Sequence, residues 1–197
     1  MKYQTAPITS GPTSHTKNYV SYTSKPQILK NSKPFPKKIS FLAAFDKNFV
    51  IGKCGKIPWN LSTERNRFKQ ICSGKKIIMG RKSFDEIGHA LPYCTIIIVS
   101  KTLKTAPEKC LLAQNLNQAF SFYDKNEEVL VAGGGEIYHQ LIEETSTIYA
   151  TLIEENYEGD TFFPKIDFCE WQKSNTENHE ENGIKYQYFT LTRKAHQ

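Results

Sequence analysis

From residue 39 onward, apolar positions gather into short runs separated by polar or glycine-containing stretches; before it they do not. Residues 39–45 (ISFLAAF) are almost unbroken apolar over strand length, which predicts a strand buried on both faces. Residues 46–52 read as a loop, with Gly52 and Gly55 bracketing a turn. The spacing over 63–72 predicts a helix with Ser62 or Thr63 as its N-cap. Residues 76–79 predict a strand that passes through Gly80 into a helix ending at Ile87. A strand at 95–100 and a helix at 117–123 follow. A strand at 129–132 then runs through Gly133-Gly134-Gly135 into a helix over 136–144. Alternating strands and helices predict an α/β fold whose parallel sheet has helices on both faces. The last third departs from this. Residues 147–153 form one strand, and 171–177 and 184–193 form an antiparallel C-terminal pair joined by the polar loop 178–183.

The first 37 residues carry no such pattern. They are rich in Ser, Thr, Pro and Lys and show neither helical nor strand periodicity, so they read as a disordered basic extension, with one domain over 38–194. Organelle targeting and non-specific contact with an anionic surface are its functional readings; a solvated extension is the plainer one. Residues 1–38 hold seven Lys and no acid, which leaves 19 basic against 20 acidic residues in the remainder. The net charge of +6 is therefore a property of the extension, and the body carries no charge signature of nucleic-acid binding. No apolar run reaches membrane-spanning length, and no secretory leader pattern opens the chain. The five cysteines are odd in number and widely spaced, with no metal-ligand pattern, as expected of reduced thiols in a cytoplasmic protein without a metal.

Two strand–glycine–helix junctions, 76–84 (KIIMGRKSF) and 129–138 (VLVAGGGEIY), are candidate phosphate sites. Glycine admits a close backbone approach, the helix start favours an anion, and Arg81 and Lys82 add positive charge to the first junction. Turns that need glycine for geometry alone are the competing reading. A third feature is Glu64, an acid in the first turn of the 63–72 helix, close in sequence to Trp59 and Phe68. Held among apolar groups, a carboxylate has a raised pKa and can pair with an amino group and ring N–H side by side on a flat heterocycle. A plain helix-start charge is the alternative.

An ordered series of short motifs then resembles the dihydrofolate reductase family across residues 38–194: Ile51-Gly52, Pro58-Trp59-Asn60-Leu61, Phe68-Lys69, Met79-Gly80-Arg81, Ser83-Phe84, Ile87-Gly88, Leu91-Pro92, Gly133-Gly134-Gly135, Tyr138 and Glu158-Gly159-Asp160-Thr161. The resemblance implies a mixed, mostly parallel central sheet, NADPH as cofactor and dihydrofolate as substrate, in a protein expected to be a monomer. It implies catalytic roles for Glu64 (pairing with the pterin amino group and ring nitrogen), Trp59 (holding a water) and Thr151 (supporting Glu64). It places Ile57, Arg65, Phe68, Lys69, Ile87 and Leu91 around the substrate. It assigns the cofactor to Ala44, Ile51, Gly52, Gly80, Arg81, Lys82, Ser83, Ser100, Lys101, Gly133, Gly134, Gly135, Glu136, Ile137 and Tyr138. Asp160 would hydrogen-bond a mobile lid formed by residues 52–59.

One departure stands out. Members of the family usually place an Arg three residues after the Leu of the Leu-Pro pair, to clamp the carboxylate of the glutamate tail; Cys94 stands there in this chain. A lost charge-assisted bond costs about 1.5–3 kcal/mol. Arg65 and Lys69, four residues apart on one helix face, are candidate substitutes. A reductase of a dihydropterin lacking the tail, and a non-catalytic folate- or NADPH-binding module, are the alternative readings.

Overall fold

The computed structural model describes residues 38–195; the expected extension over 1–37 lies outside the described residues. In chain order the elements are β1 Ile39–Asp46, β2 Val50–Gly52, α1 Ser62–Cys72, β3 Lys76–Gly80, α2 Arg81–Ile87, β4 Thr95–Val99, β5 Cys110–Ala113, α3 Leu116–Phe120, β6 Val129–Val131, α4 Gly135–Leu141, β7 Thr145–Ile153, β8 Thr161–Phe162, β9 Trp171–Glu181 and β10 Ile184–Arg193. Eight strands form one sheet in the order β5-β4-β3-β6-β1-β7-β10-β9. Neighbours from β5 to β7 are parallel, and β10 and β9 add an antiparallel edge.

Successive side chains of a strand point to opposite faces, and the buried residues divide accordingly. Phe41, Ala43, Ile78, Ile97 and Val131 pack with Ala119 of α3 and Ile137 and Leu141 of α4. Leu42, Ile77, Met79, Ile96, Ile98 and Leu130 pack on the other face with Cys72 of α1 and Phe84 of α2. The unbroken apolar runs of β1, β3, β4 and β6 follow from this double cover.

Several boundaries differ from expectation, each for a local reason. Residues 50–52 are a short strand paired with β8, in a stretch whose sequence reads as loop. Strand β5 flanks β4 at the sheet edge, four residues long and too short to announce itself. The 117–123 helix shrinks to α3, started one residue after Asn115, whose side chain accepts from the Gln118 N–H. Helix α4 gives way at Leu141 to a single 3-10 turn, Ile142–Glu144. In the C-terminal pair the expected loop 178–183 is mostly strand, and the turn narrows to Asn182-Gly183 with φ of 54° and 79°. Two left-handed residues in succession suit the right-handed twist of a hairpin, and Asn-Gly takes that conformation readily. Because β9 is almost wholly polar, periodicity alone could not carry it past Glu177.

Helix α1 begins at Ser62, and neither Ser62 nor Thr63 caps it with its own side chain. Glu181, from the far end of β9, caps it instead. Its carboxylate accepts from the Ser62 and Thr63 amides at 2.8 and 3.0 Å and from both hydroxyls at 2.6 Å. Those bonds, the hydroxyl ones foremost, hold the Glu181 carboxyl down to about 2. A carboxylate depressed on folding stabilises the native state above its unfolded pKa, and this contribution fades as pH falls through the folded value. Unfolding midpoints measured from neutrality down to about pH 2 should therefore decline more steeply in the native protein than in Glu181→Ala. The variant should also melt lower at neutral pH.

Candidate active site

An open cleft lies at the C-terminal ends of β1, β3 and β6. Ligands of open α/β sheets bind at this edge. Its walls come from β1 (Leu42, Ala43, Ala44), Ile51, the 57–59 turn, α1 (Glu64, Phe68), Met79, α2 (Ser83, Glu86, Ile87) and the stretch Ala132-Gly133-Gly134 with Tyr138.

The two glycine junctions meet on one side of this cleft. The Gly80 amide donates to the Gly133 carbonyl at 2.9 Å, and the Gly133–Gly134 peptide is cis. Gly133 has a φ of +123°, which L side chains rarely adopt. A Cβ at Gly134 would stand 2.9 Å from Ser83 Oγ, so any larger residue there would displace the serine side chain. The Tyr138 hydroxyl donates to the Leu42 carbonyl at 2.6 Å, tying α4 to β1 behind the cleft.

Opposite stands Glu64. Its side chain is half-buried and makes no hydrogen bond to another described residue. Burial raises its carboxyl above the usual range, and the positive charges of Arg67 and then Arg65 pull it partly back. Trp59 is buried against Tyr157, with ring centroids 5.4 Å apart, and shares a cluster with Leu61, Tyr186 and Tyr188. Thr151 is fully buried, and its hydroxyl accepts from Arg67 Nη1 at 3.0 Å.

The turn over 52–59 reaches the cleft at Ile57 and Trp59. Its base pairs Gly52 with Thr161, and the Cys54 amide donates to the Asp160 carboxylate at 2.8 Å. Lys53 reaches Glu158 at 2.6 Å. At its far end the Ile57 amide donates to Glu86 Oε1 at 2.7 Å, while the Ile57 side chain stays 48% exposed.

The cleft thus gathers Ala44, Ile51, Ile57, Trp59, Glu64, Phe68, Ser83, Ile87, Gly133, Gly134 and Tyr138 of the expected residues. The others lie around it. Leu91 packs in the core cluster behind Phe68 and Ile87. Arg65 is exposed and donates to Asn60 Oδ1 at 2.6 Å, while the Lys69 ammonium lies 5.7 Å from the Tyr93 ring centroid. Arg81 pairs with Asp85 at 2.5 Å, and Lys82, Lys101 and Glu136 are exposed. The Ser100 hydroxyl accepts from the Thr102 and Leu103 amides, and the Ile137 side chain is core. Gly135 is hemmed in by the Phe162 carbonyl, 3.0 Å from where a Cβ would sit. Cys94 is half-buried, and burial pushes its thiol up to about 11, so it is neutral at physiological pH.

Sequence reasoning missed Leu42, Ala43, Met79, Ala132 and Glu86 in the walls, and Arg67 beneath Glu64. The first four sit in apolar strand runs that read as core. Nothing in the spacing marks Glu86, but Arg67, three residues after Glu64, shares its side of the helix. Among the described residues no cluster of His, Cys, Asp and Glu could hold a metal ion, and no helix is long and apolar enough to cross a membrane.

Comparison with known proteins places this arrangement. The dihydrofolate reductase family model matches residues 38–193. The chain is 37% identical to a dihydrofolate reductase of Staphylococcus haemolyticus over 148 residues, 75% of this chain and 87% of that protein. It is 35% identical to one of Haemophilus influenzae over 158 residues, 79% of this chain and 98% of that protein. Among solved structures, a dihydrofolate reductase from Enterococcus faecalis complexed with NADP(H) and RAB-propyl superimposes with a TM-score of 0.73 at 30% identity. The superposition covers 82% of this chain and 99% of that one.

Proposed function

The chain belongs to the dihydrofolate reductase family, and on that premise we propose how its residues carry the reaction. It is an NADPH-dependent oxidoreductase that reduces dihydrofolate to tetrahydrofolate. The glycine side of the cleft fits the cofactor: Gly133 and Gly134 line it without side chains of their own, and Ser83 stands beside the turn. Gly80, Gly135 and Glu136, with the backbone of Ile137, would frame the diphosphate. Arg81 and Lys82, which open α2 after β3, and Ser100 and Lys101, which follow β4, would face the cofactor's phosphates. Ala44, Ile51, Gly52 and Tyr138 would border the nicotinamide. NADPH supplies a hydride when bound.

The observation that carries the substrate reading is Glu64, a carboxylate in the same cleft as the Gly133-Gly134 turn, without a hydrogen bond to another described residue and held among apolar neighbours. It would accept from the amino group and ring N–H of the pterin and so fix the ring face-on to the nicotinamide, an orientation effect. Phe68 and Ile87 would flank the ring and Leu91 the slot beyond it. Trp59 would order the water that delivers the proton to N5 as hydride reaches C6, and the Thr151 hydroxyl would support Glu64 or the pterin amino group. Asp160 and Glu86 would hold the lid down from its two ends, excluding bulk water. Five free thiols fit a reducing, cytoplasmic setting, and the near-balanced charge of the body fits an enzyme with no nucleic-acid partner, which we propose acts as a monomer.

The glutamate tail needs a cation, and neutral Cys94 does not supply one. Lys69, stacked over Tyr93 next to Cys94, is the better placed of the two candidates, because Asn60 already holds Arg65. Following NADPH oxidation tests both readings. Lys69→Ala should raise KM for dihydrofolate about tenfold, the worth of one charge-assisted bond, and leave KM for a tail-less dihydropterin unchanged. Arg65→Ala should move KM less. Equal efficiency of the native enzyme on the two substrates would favour the tail-less pterin as substrate, and no turnover of either would leave only a binding module.

A further inference from the structure

Beneath Glu64 lies a cation that the reaction as described does not use. Arg67 is half-buried between α1 and the sheet. Its Nη1 donates to Thr151 Oγ1 at 3.0 Å and to the Ala150 carbonyl at 3.2 Å, and its Cζ rests 4.3 Å from the centroid of the Tyr188 ring. Thr151 is in register with Tyr188 on β10 and with Ala44 on β1. One row across the sheet thus runs from the guanidinium to the cleft wall.

This placement has two chemical consequences. A hydroxyl oxygen that accepts from a guanidinium N–H directs its own hydrogen elsewhere, so Thr151 is set as a donor. A guanidinium also stays charged at every pH the protein survives, so a fixed positive charge stands behind the carboxylate. We infer that Arg67 is a positioning residue for catalysis, which sets the Thr151 hydroxyl as a donor and restrains proton uptake in the cleft through its charge. The inference rests on the role proposed above for Glu64.

The groups around Glu64 leave Arg67 as the dominant charge. On α1 they are Arg65, which is exposed and screened by water, and Cys72, whose thiol burial pushes up to about 12. Tyr138 on α4 and Tyr188 on β10 face it as well, and burial raises both phenols, so both are neutral. Glu177, on β9, faces the outer side of Arg67 and lies 3.3 Å from His179, whose ring packs on Tyr186 and Tyr188. These two groups act on Glu64 only through Arg67 and the tyrosine rings.

A nearby positive charge lowers the proton affinity of a carboxyl and of a substrate ring nitrogen alike. Removing it therefore raises the pH up to which the proton-consuming hydride step remains fast, whichever of the two sites holds the proton. The experiment is single-turnover hydride transfer from NADPH-loaded enzyme to dihydrofolate, measured across pH. It compares the native protein with Arg67→Gln, which keeps N–H donors for Thr151, with Arg67→Met, which does not, and with Arg67→Lys, which keeps the charge. Both neutral variants should move the midpoint upward by about one pH unit, and Arg67→Lys should leave it near the native position. A midpoint depends on neither the amount of folded enzyme nor its stability, so a purely structural role for Arg67 would not move it. Coincident midpoints in the native and both neutral variants overturn the inference if Glu64→Gln alters the profile. If Glu64→Gln itself leaves the profile unchanged, the role of Glu64 falls, and the inference with it.

Discussion

Replacing Glu64 by Gln should lower kcat/KM for dihydrofolate by about two to three orders of magnitude, within the range that a positioned acid–base group contributes. Gln keeps the size and the carbonyl acceptor of Glu but loses the charge and the second acceptor, so the ring is held by one bond where the acid offers two. The same change should not lower the melting temperature. A carboxyl raised by burial costs the native state stability as pH climbs from its unfolded to its folded pKa, and a neutral amide removes that cost at neutral pH. Lost activity with retained or increased stability, read by NADPH oxidation and thermal unfolding on the same samples, marks a group kept for chemistry. Activity within a few-fold of native would contradict the assignment.

Asp46→Ala should do the reverse and act first on the fold. Asp46 ends β1 and is 1% exposed. Its Oδ1 accepts from the Asn48 and Val50 amides at 2.8 Å each, and its Oδ2 from the Tyr157 amide at 2.7 Å. One carboxylate thus shapes the β1–β2 turn and docks the segment that follows β7. Truncation leaves these donors without their acceptor at a cost of about 3 kcal/mol, a fall in Tm of roughly 6–12 °C. Asp46→Asn separates the parts: its carbonyl can keep the two turn amides, but its NH₂ group then faces the Tyr157 N–H, donor against donor. It should fall between the native protein and Asp46→Ala. Because β2 leads into the 52–59 lid and Tyr157 packs on Trp59, both variants should also raise KM for NADPH. Equal stability of all three proteins in urea would refute this role.

The fold is legible in the sequence where a single local cause acts. The buried strands β1, β3, β4 and β6 are continuous apolar runs because helices cover both their faces. The two glycine junctions are legible because the φ of Gly133 favours glycine and the turns approach each other closely at Gly134. The ordered motifs around Trp59, Glu64, Arg81 and the glycine run pointed to the family, which the comparisons then established. Short or polar elements were hidden: β2 and β8 exist through pairing with each other across a long stretch of chain, the outer half of β9 through its hairpin with β10, and their own residues carry almost no periodicity.

The sequence by itself therefore determined the order of the helices and of the longer strands, the glycine turns and the presence of an acid on α1, since each follows from side-chain size, polarity and backbone freedom over a few neighbouring residues. Tertiary structure alone decided that Glu181, more than a hundred residues away, caps α1. It also decided that Asp46 holds Tyr157, that Glu86 meets the lid, and that Arg67 turns inward under Glu64 while Arg65 turns out to Asn60. A charged side chain reads alike in sequence whether it ends in water or against a buried partner, and only the packing of α1 on β7 and β10 settles which.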